Sequence, residues 1–151
     1  MTDPLMPTRC FTVQAAESYQ GKQGLTYFAG VAAETVGARG LCMHLLTVPP
    51  GARAKAHLHE GHETAVYVLS GESLTIFGDH MQYAQRSKAG DIVYIPAGVP
   101  HMPVNLGSEP VSAVIARTDP NEQESVNLLP ELEAAAERTI ARIKSGELIP
   151  D

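Results

Sequence analysis

Cysteine, basic charge and long apolar runs are all in short supply in this sequence. Its two cysteines, Cys10 and Cys42, are far apart and form no paired-thiol metal or redox spacing. That usage, together with an N-terminus (MTDPLMPTRC) lacking the apolar stretch of a secretory signal, leads us to expect a reducing, cytoplasmic setting. Only 11 Lys and Arg stand against 17 Asp and Glu, a formal charge of −6. This is the opposite of the footprint that phosphate backbones select, so nucleic acid is not an expected partner. The longest stretch free of charged residues, Ile92 to Ser108, contains Pro96, Pro100, Pro103, His101 and Asn105, which rules it out as a bilayer-spanning helix of about 20 apolar residues. What is present is ordinary for a globular protein. Of 151 residues, 44% are hydrophobic and 19% charged, which fits one compact core and a single domain over 1–151.

Glycine and proline punctuate the first 120 residues at short intervals. Between them lie runs of strand length: Phe11–Val13, Leu41–Val48, Thr64–Leu69, Ser73–Phe77, Asp91–Ile95 and Val111–Arg117. Many short strands separated by turn signals predict an all-β sandwich or barrel. The tail differs. Leu129, Leu132, Ala136, Ile140 and Ile143 recur at steps of three and four, which predicts one C-terminal α-helix over about 128–145. Asn127 is the expected N-cap, Pro130 fits the first turn, and Gly146 marks the stop.

The chemistry concentrates in the stretch from Gly51 to Thr64. Alternate residues of a strand share a face, so His57 and His59 aim both imidazoles at one point, as a metal ion requires. A second stretch, Gly90 to Asn105, runs an apolar strand into a Pro/Gly turn that presents His101 at the start of the next strand. Together they resemble the two signature motifs of the cupin superfamily. The first is Gly51-x5-His57-x-His59 with Gly71 closing it, and the second is Gly90-x5-Pro96-x-Gly98-x2-His101-x3-Asn105. The resemblance covers about residues 40–118. It implies a double-stranded β-helix, a small jelly-roll barrel whose mouth holds one divalent transition metal.

By position, the resemblance assigns His57, His59 and His101 as metal ligands, together with a glutamate after the second histidine. Here the sequence departs from the pattern: counting forward from His59 gives Glu63, while counting back from Gly71 gives Thr64. If Val66 and Val68 point inward, Thr64 faces the metal and Glu63 faces away; a bulge would bring Glu63 in. Glu63 is the expected fourth ligand, because a carboxylate partly neutralises a buried dication. Thr64, His62 or an open position are the alternatives. Imidazole and carboxylate suit Fe, Mn, Ni, Zn or Co alike.

Arg53 and Lys55 share the parity of the histidines, so a regular strand would place them where they meet an anionic substrate; otherwise they are solvated. Tyr27, Tyr67 and Met102 are candidates for the cavity wall or for ordinary core. Cys42 reads as a small buried hydrophobe. The expected function is metal-dependent action on a small polar or anionic metabolite, with dioxygenase-type chemistry first. A metal-dependent isomerase, or a binding and sensing module without catalysis, are the alternatives. Few aromatics and an Ala-rich even face (Ala52, Ala54, Ala56, Leu58) point to a homodimer.

Overall fold

The computed structural model describes residues 9–151. Among them the order is β1 (Ser18–Gln20), β2 (Thr26–Val31), a one-turn helix α1 (Ala33–Val36), β3 (Cys42–Val48), β4 (His57–His59), β5 (Thr64–Ser70), β6 (Glu72–Phe77), β7 (Tyr83–Lys88), β8 (Ile92–Ile95), β9 (His101–Val104), β10 (Val111–Arg117), β11 (Val126–Leu128), a 3-10 turn (Pro130–Leu132) and α2 (Glu133–Lys144). Five of the six runs read from the sequence are strands to within a residue. Phe11–Val13 is not a strand, and β1, β2, β7 and β11 lie outside the runs named above.

The strands form two antiparallel sheets, ordered β1-β2-β3-β10-β5-β8 and β11-β4-β9-β6-β7. From β3 onward the chain keeps changing sheet: β3, β5, β8 and β10 lie in one, and β4, β6, β7, β9 and β11 in the other. This alternation is the double-stranded β-helix, and it encloses a core between two inner faces. On β10 the inner positions are Val111, Ala113, Ile115 and Arg117. Three are apolar, as a buried sheet face demands, and the last is a cation.

Two glycines set the path into the site. Gly71 joins β5 to β6 at φ +82°, and a Cβ there would meet Pro110 O at 2.6 Å, so only glycine fits both the backbone and the space. Gly98, at φ +75°, turns the chain after β8 and donates its N–H to His59 O at 2.9 Å. The histidine-bearing strand β4 is thereby tied to the loop that delivers His101.

The terminal helix begins later than its periodicity predicts. Asn127 belongs to β11, where its side chain donates to Glu60 Oε2 at 2.9 Å instead of capping a helix. Pro130 opens the 3-10 turn, and Gly146 ends α2 in the left-handed region. The apolar stripe behaves as its spacing requires: Ala136 and Ile140 are buried in the core, with Leu129, Leu132 and Ile143 packed on it.

This corrects the expected dimer face. Ala54 and Ala56 are buried within this same chain, under the terminal segment. Glu133 Oε1 accepts the Ala56 N–H at 2.7 Å, and Leu129 N–H donates to Ala56 O at 2.9 Å. The exposed apolar surface lies instead on the outer face of the six-stranded sheet, carried by Met43, Leu45, Tyr67, Leu69, Ile92 and Tyr94. No helix among the described residues is long and apolar enough to cross a membrane.

Candidate metal centre

β4 places His57 and His59 on its inner face, and β9 begins with His101 directly opposite His57 in the antiparallel register. All three are buried, and each offers one ligand nitrogen within 4.8 Å of the others. The ring centroids of His57 and His101 are 4.4 Å apart, those of His57 and His59 5.3 Å.

Hydrogen bonds decide which nitrogen each ring presents. His57 Nδ1 lies 2.7 Å from Lys55 O and His101 Nδ1 2.8 Å from Val99 O. Carbonyls only accept, so these Nδ1 atoms carry the proton and each Nε2 keeps its lone pair. His59 Nδ1 lies 3.2 Å from Ser125 Oγ, and Ser125 in turn hydrogen-bonds the Asp119 carboxylate. Against the upward push of burial, the bonds from Ser125 and the Asn121 N–H hold Asp119 below its ordinary value. The chain His59–Ser125–Asp119 thus fixes this third ring the same way. Such outer partners are what orient metal-ligating histidines.

Burial pushes the three imidazoles down: His57 well below its ordinary range, His59 to about 2 and His101 to about 4, with the Arg117 charge adding to the effect on each. They are neutral, the form a metal accepts. His59 Nε2 is buried and has no hydrogen-bond partner. An orphaned lone pair is costly in a folded core. A cation shared by three Nε2 atoms removes that cost, so the donor set fits a divalent transition metal.

Glu63, the expected fourth ligand, is not brought to this cluster. It is exposed, with its carboxylate accepting from Tyr94 Oη at 2.6 Å on the outer side of the sheet. The physical reason is register. β5 pairs without a shift from Thr64 to Val68, with Thr64 opposite Ile95 and Arg117, so Thr64 points inward and its predecessor does not. No bulge intervenes at Glu63. His62 is also elsewhere, its Nδ1 3.2 Å from Thr118 Oγ1. Thr64 is buried and shares the inner wall with the histidines, but its Oγ1 is engaged as an acceptor of Arg117 Nε–H at 2.8 Å.

The barrel interior holds a cavity of about 60 Å³ walled by His57, His101, Thr64 and Arg117, by apolar residues of the six-stranded sheet, among them Leu46, Val68 and Ile115, and by Ser73, Thr75 and Ser87 of the other sheet. Tyr27 lines it; Tyr67 is exposed on the outer face and Met102 is packed in the core. Arg53 does not face the cavity. Its guanidinium is clamped by Glu133 and Glu137 at 2.7 and 2.6 Å, and Lys55 is exposed.

The cation that does face inward, Arg117, escaped the sequence reading. The signal that would have found it is its parity with Val111, Ala113 and Ile115. Asn105 acts as a structural tie, in which Nδ2 donates to Val48 O and Glu109 O while Oδ1 accepts the Gly107 N–H. This locks the loop between β9 and β10. Cys42 is buried, and burial pushes its thiol up to about 11, an inert environment.

Known proteins agree with this architecture. Residues 44–116 match the family model described as Cupin domain. A protein of Methanocaldococcus jannaschii without an assigned role is 30% identical over 82 residues, 54% of this chain and 63% of that protein. The oxalate decarboxylase of Bacillus subtilis is 35% identical over 69 residues, 44% of this chain and 18% of the enzyme. The matches thus span less than two thirds of either relative. Among solved structures, a polyketide cyclase from Streptomyces resistomycificus superposes with a TM-score of 0.64 at 23% identity, covering 89% of this chain and 94% of that one, a likeness of fold. The sheet-switching barrel, the inward histidine triad and the domain match over residues 44–116 together make this chain a member of the cupin superfamily.

Proposed function

We propose that the protein is a metal-dependent enzyme acting on a small polar or anionic metabolite by dioxygenase-type oxidation. The observation that carries this reading is the buried triad of neutral histidines, with no carboxylate among them, beside a small and largely apolar cavity. A divalent metal held by His57, His59 and His101 would supply a Lewis-acidic centre with open positions for substrate and oxygen. The chain's own contribution is to orient three lone pairs through Lys55 O, Val99 O and Ser125, to exclude bulk water with the apolar wall, and to place Arg117 beside the ligand space.

Isomerisation through proton transfer is the weaker reading. It needs a base within hydrogen-bond reach of substrate, and no Asp or Glu lines the cavity. The two carboxylates between β4 and β5 are engaged elsewhere, Glu60 with Asn127 and Glu63, facing outward, with Tyr94. A relative named for action on oxalate, a small dianion, supports the substrate class.

Oxygen consumption by the Fe(II)-loaded protein, assayed against a panel of small carboxylic acids and diketones, tests the reading. Substrate-dependent uptake is expected. Stoichiometric ligand binding with no turnover on any member would make the barrel a binding or sensing module.

We also propose that the protein works as a homodimer paired through the outer face of the six-stranded sheet. That face runs across β3, β10, β5 and β8 through Met43, Leu45, Val114, Ala116, Tyr67, Leu69, Ile92 and Tyr94, with the Glu63 carboxylate reaching it at Tyr94. Ile92 is 72% and Tyr94 60% exposed. A face this apolar is covered best by another apolar surface, and a second copy supplies a matching one.

A further inference from the structure

Arg117 ends β10 with its side chain inside the barrel, 3% exposed, and holds Glu122, 5% exposed, through one contact of 2.7 Å from Nη1 to Oε1. Its Nε donates to Thr64 Oγ1 at 2.8 Å. These bonds engage two of the five N–H donors of a guanidinium. The side chain lines the same cavity as His57 and His101. Glu122 is itself held from behind by Tyr19 Oη at 3.0 Å and by the Gln123 side-chain amide. The acid is therefore committed to anchoring the arginine.

Charge accounting gives this arrangement a consequence. Arg117 and Glu122 cancel, and three neutral imidazoles contribute nothing, so a dication held by the triad keeps its full charge in an apolar cavity. An uncompensated buried charge is expensive. The inward position on β5 from which a carboxylate would have offset it is occupied by Thr64, whose hydroxyl instead aims the guanidinium. The missing negative charge has to arrive with the ligand. Space limits that ligand: 60 Å³ admits only a few water-sized groups, at roughly 10–15 Å³ each.

We propose that Arg117, positioned by Thr64 and Glu122, forms an anion subsite beside the histidine triad, and that the ligand it selects is a small carboxylate. One carboxylate oxygen faces the triad and the other accepts from the guanidinium, the geometry in which planar N–H donors recognise planar oxyanions. This inference rests on the metal-dependent reading for the triad, but the arginine contact is separable from it.

The test titrates acetate, with acetamide as its neutral counterpart, into metal-free and Co(II)-loaded protein. Binding is read by calorimetry in both forms and by the cobalt absorption band in the loaded one. Two variants accompany the wild type. Thr64→Glu places a carboxylate of the protein's own beside Arg117. Arg117→Met combined with Glu122→Gln removes the cation without stranding a buried acid. Wild-type protein is expected to prefer acetate to acetamide. Both variants should lose roughly ten- to hundredfold in acetate affinity, the scale of a hydrogen bond to a charged group, while still taking one equivalent of cobalt. Equal affinity for acetate and acetamide, no acetate binding at all, or acetate affinity indifferent to both variants would overturn the subsite, even with cobalt bound. Acetate binding that depends on Arg117 in protein that takes no cobalt would sink the metal reading and leave the subsite standing.

Discussion

At the scale of single residues, the site is built by what holds the histidines more than by the histidines themselves. Each Nδ1 has an assigned partner, and the His59 tether through Ser125 is the one made by a side chain and hence open to mutation. Replacing Ser125 with Ala should leave the fold intact and weaken metal binding by about 10–100-fold, the usual effect of losing such an outer partner; competition with a chromophoric chelator measures it. Glu63→Ala should leave metal affinity unchanged in the same assay, because the carboxylate sits with Tyr94 on the other face of β5. A large loss there would show that Glu63 swings inward on loading. The sequence already contained both rulers for this position. The register ruler, anchored on Val66 and Val68, was the reliable one, and the chemical preference for an acidic ligand misled. A strand's alternation is enforced by every residue of the buried face, whereas one favourable contact cannot rotate a strand against it.

Among elements, those with a strong pattern were legible. The β-branched runs at β3, β5, β8 and β10 and the 3–4 periodicity of α2 appear where the sequence places them. β7 (YAQRSK) and β11 (VNL) carry too little apolar alternation to announce themselves and owe their form to neighbours. The start of α2 was misjudged because Asn127, a good cap by type, is drawn into pairing with β4. The helix is also the element that seals the Ala54–Ala56 face, so its stripe matters to the whole core. Ile140→Ala removes a buried side chain from the core cluster and should cost about 2–5 kcal/mol, visible as a lowered denaturation midpoint without loss of secondary structure. A cost below that range would mean the helix lies only loosely on the sheet.

For the whole molecule, the exposed apolar face and the buried triad make separate claims. If the outer sheet face pairs two copies, sedimentation equilibrium at micromolar concentration should give twice the monomer mass, and a charged pair of substitutions at its most exposed points, Ile92→Lys with Tyr94→Lys, should return the protein to monomer. A monomeric wild type would remove the dimer and leave the metal site untouched. The barrel's alternation between sheets could be anticipated from the two histidine motifs and their order. The placement of Arg117 inside was signalled only by its parity with Val111, Ala113 and Ile115, a signal outweighed because a cation at the end of a β-run is ordinarily solvated.

The central claim is that His57, His59 and His101 together hold one metal ion. Its most direct test is metal stoichiometry by elemental analysis after Fe(II) or Co(II) loading of untagged protein, set beside His101→Ala. The account predicts about one equivalent in the wild type and none retained by the variant. An equal metal content in the two proteins, or no metal in either, would contradict it.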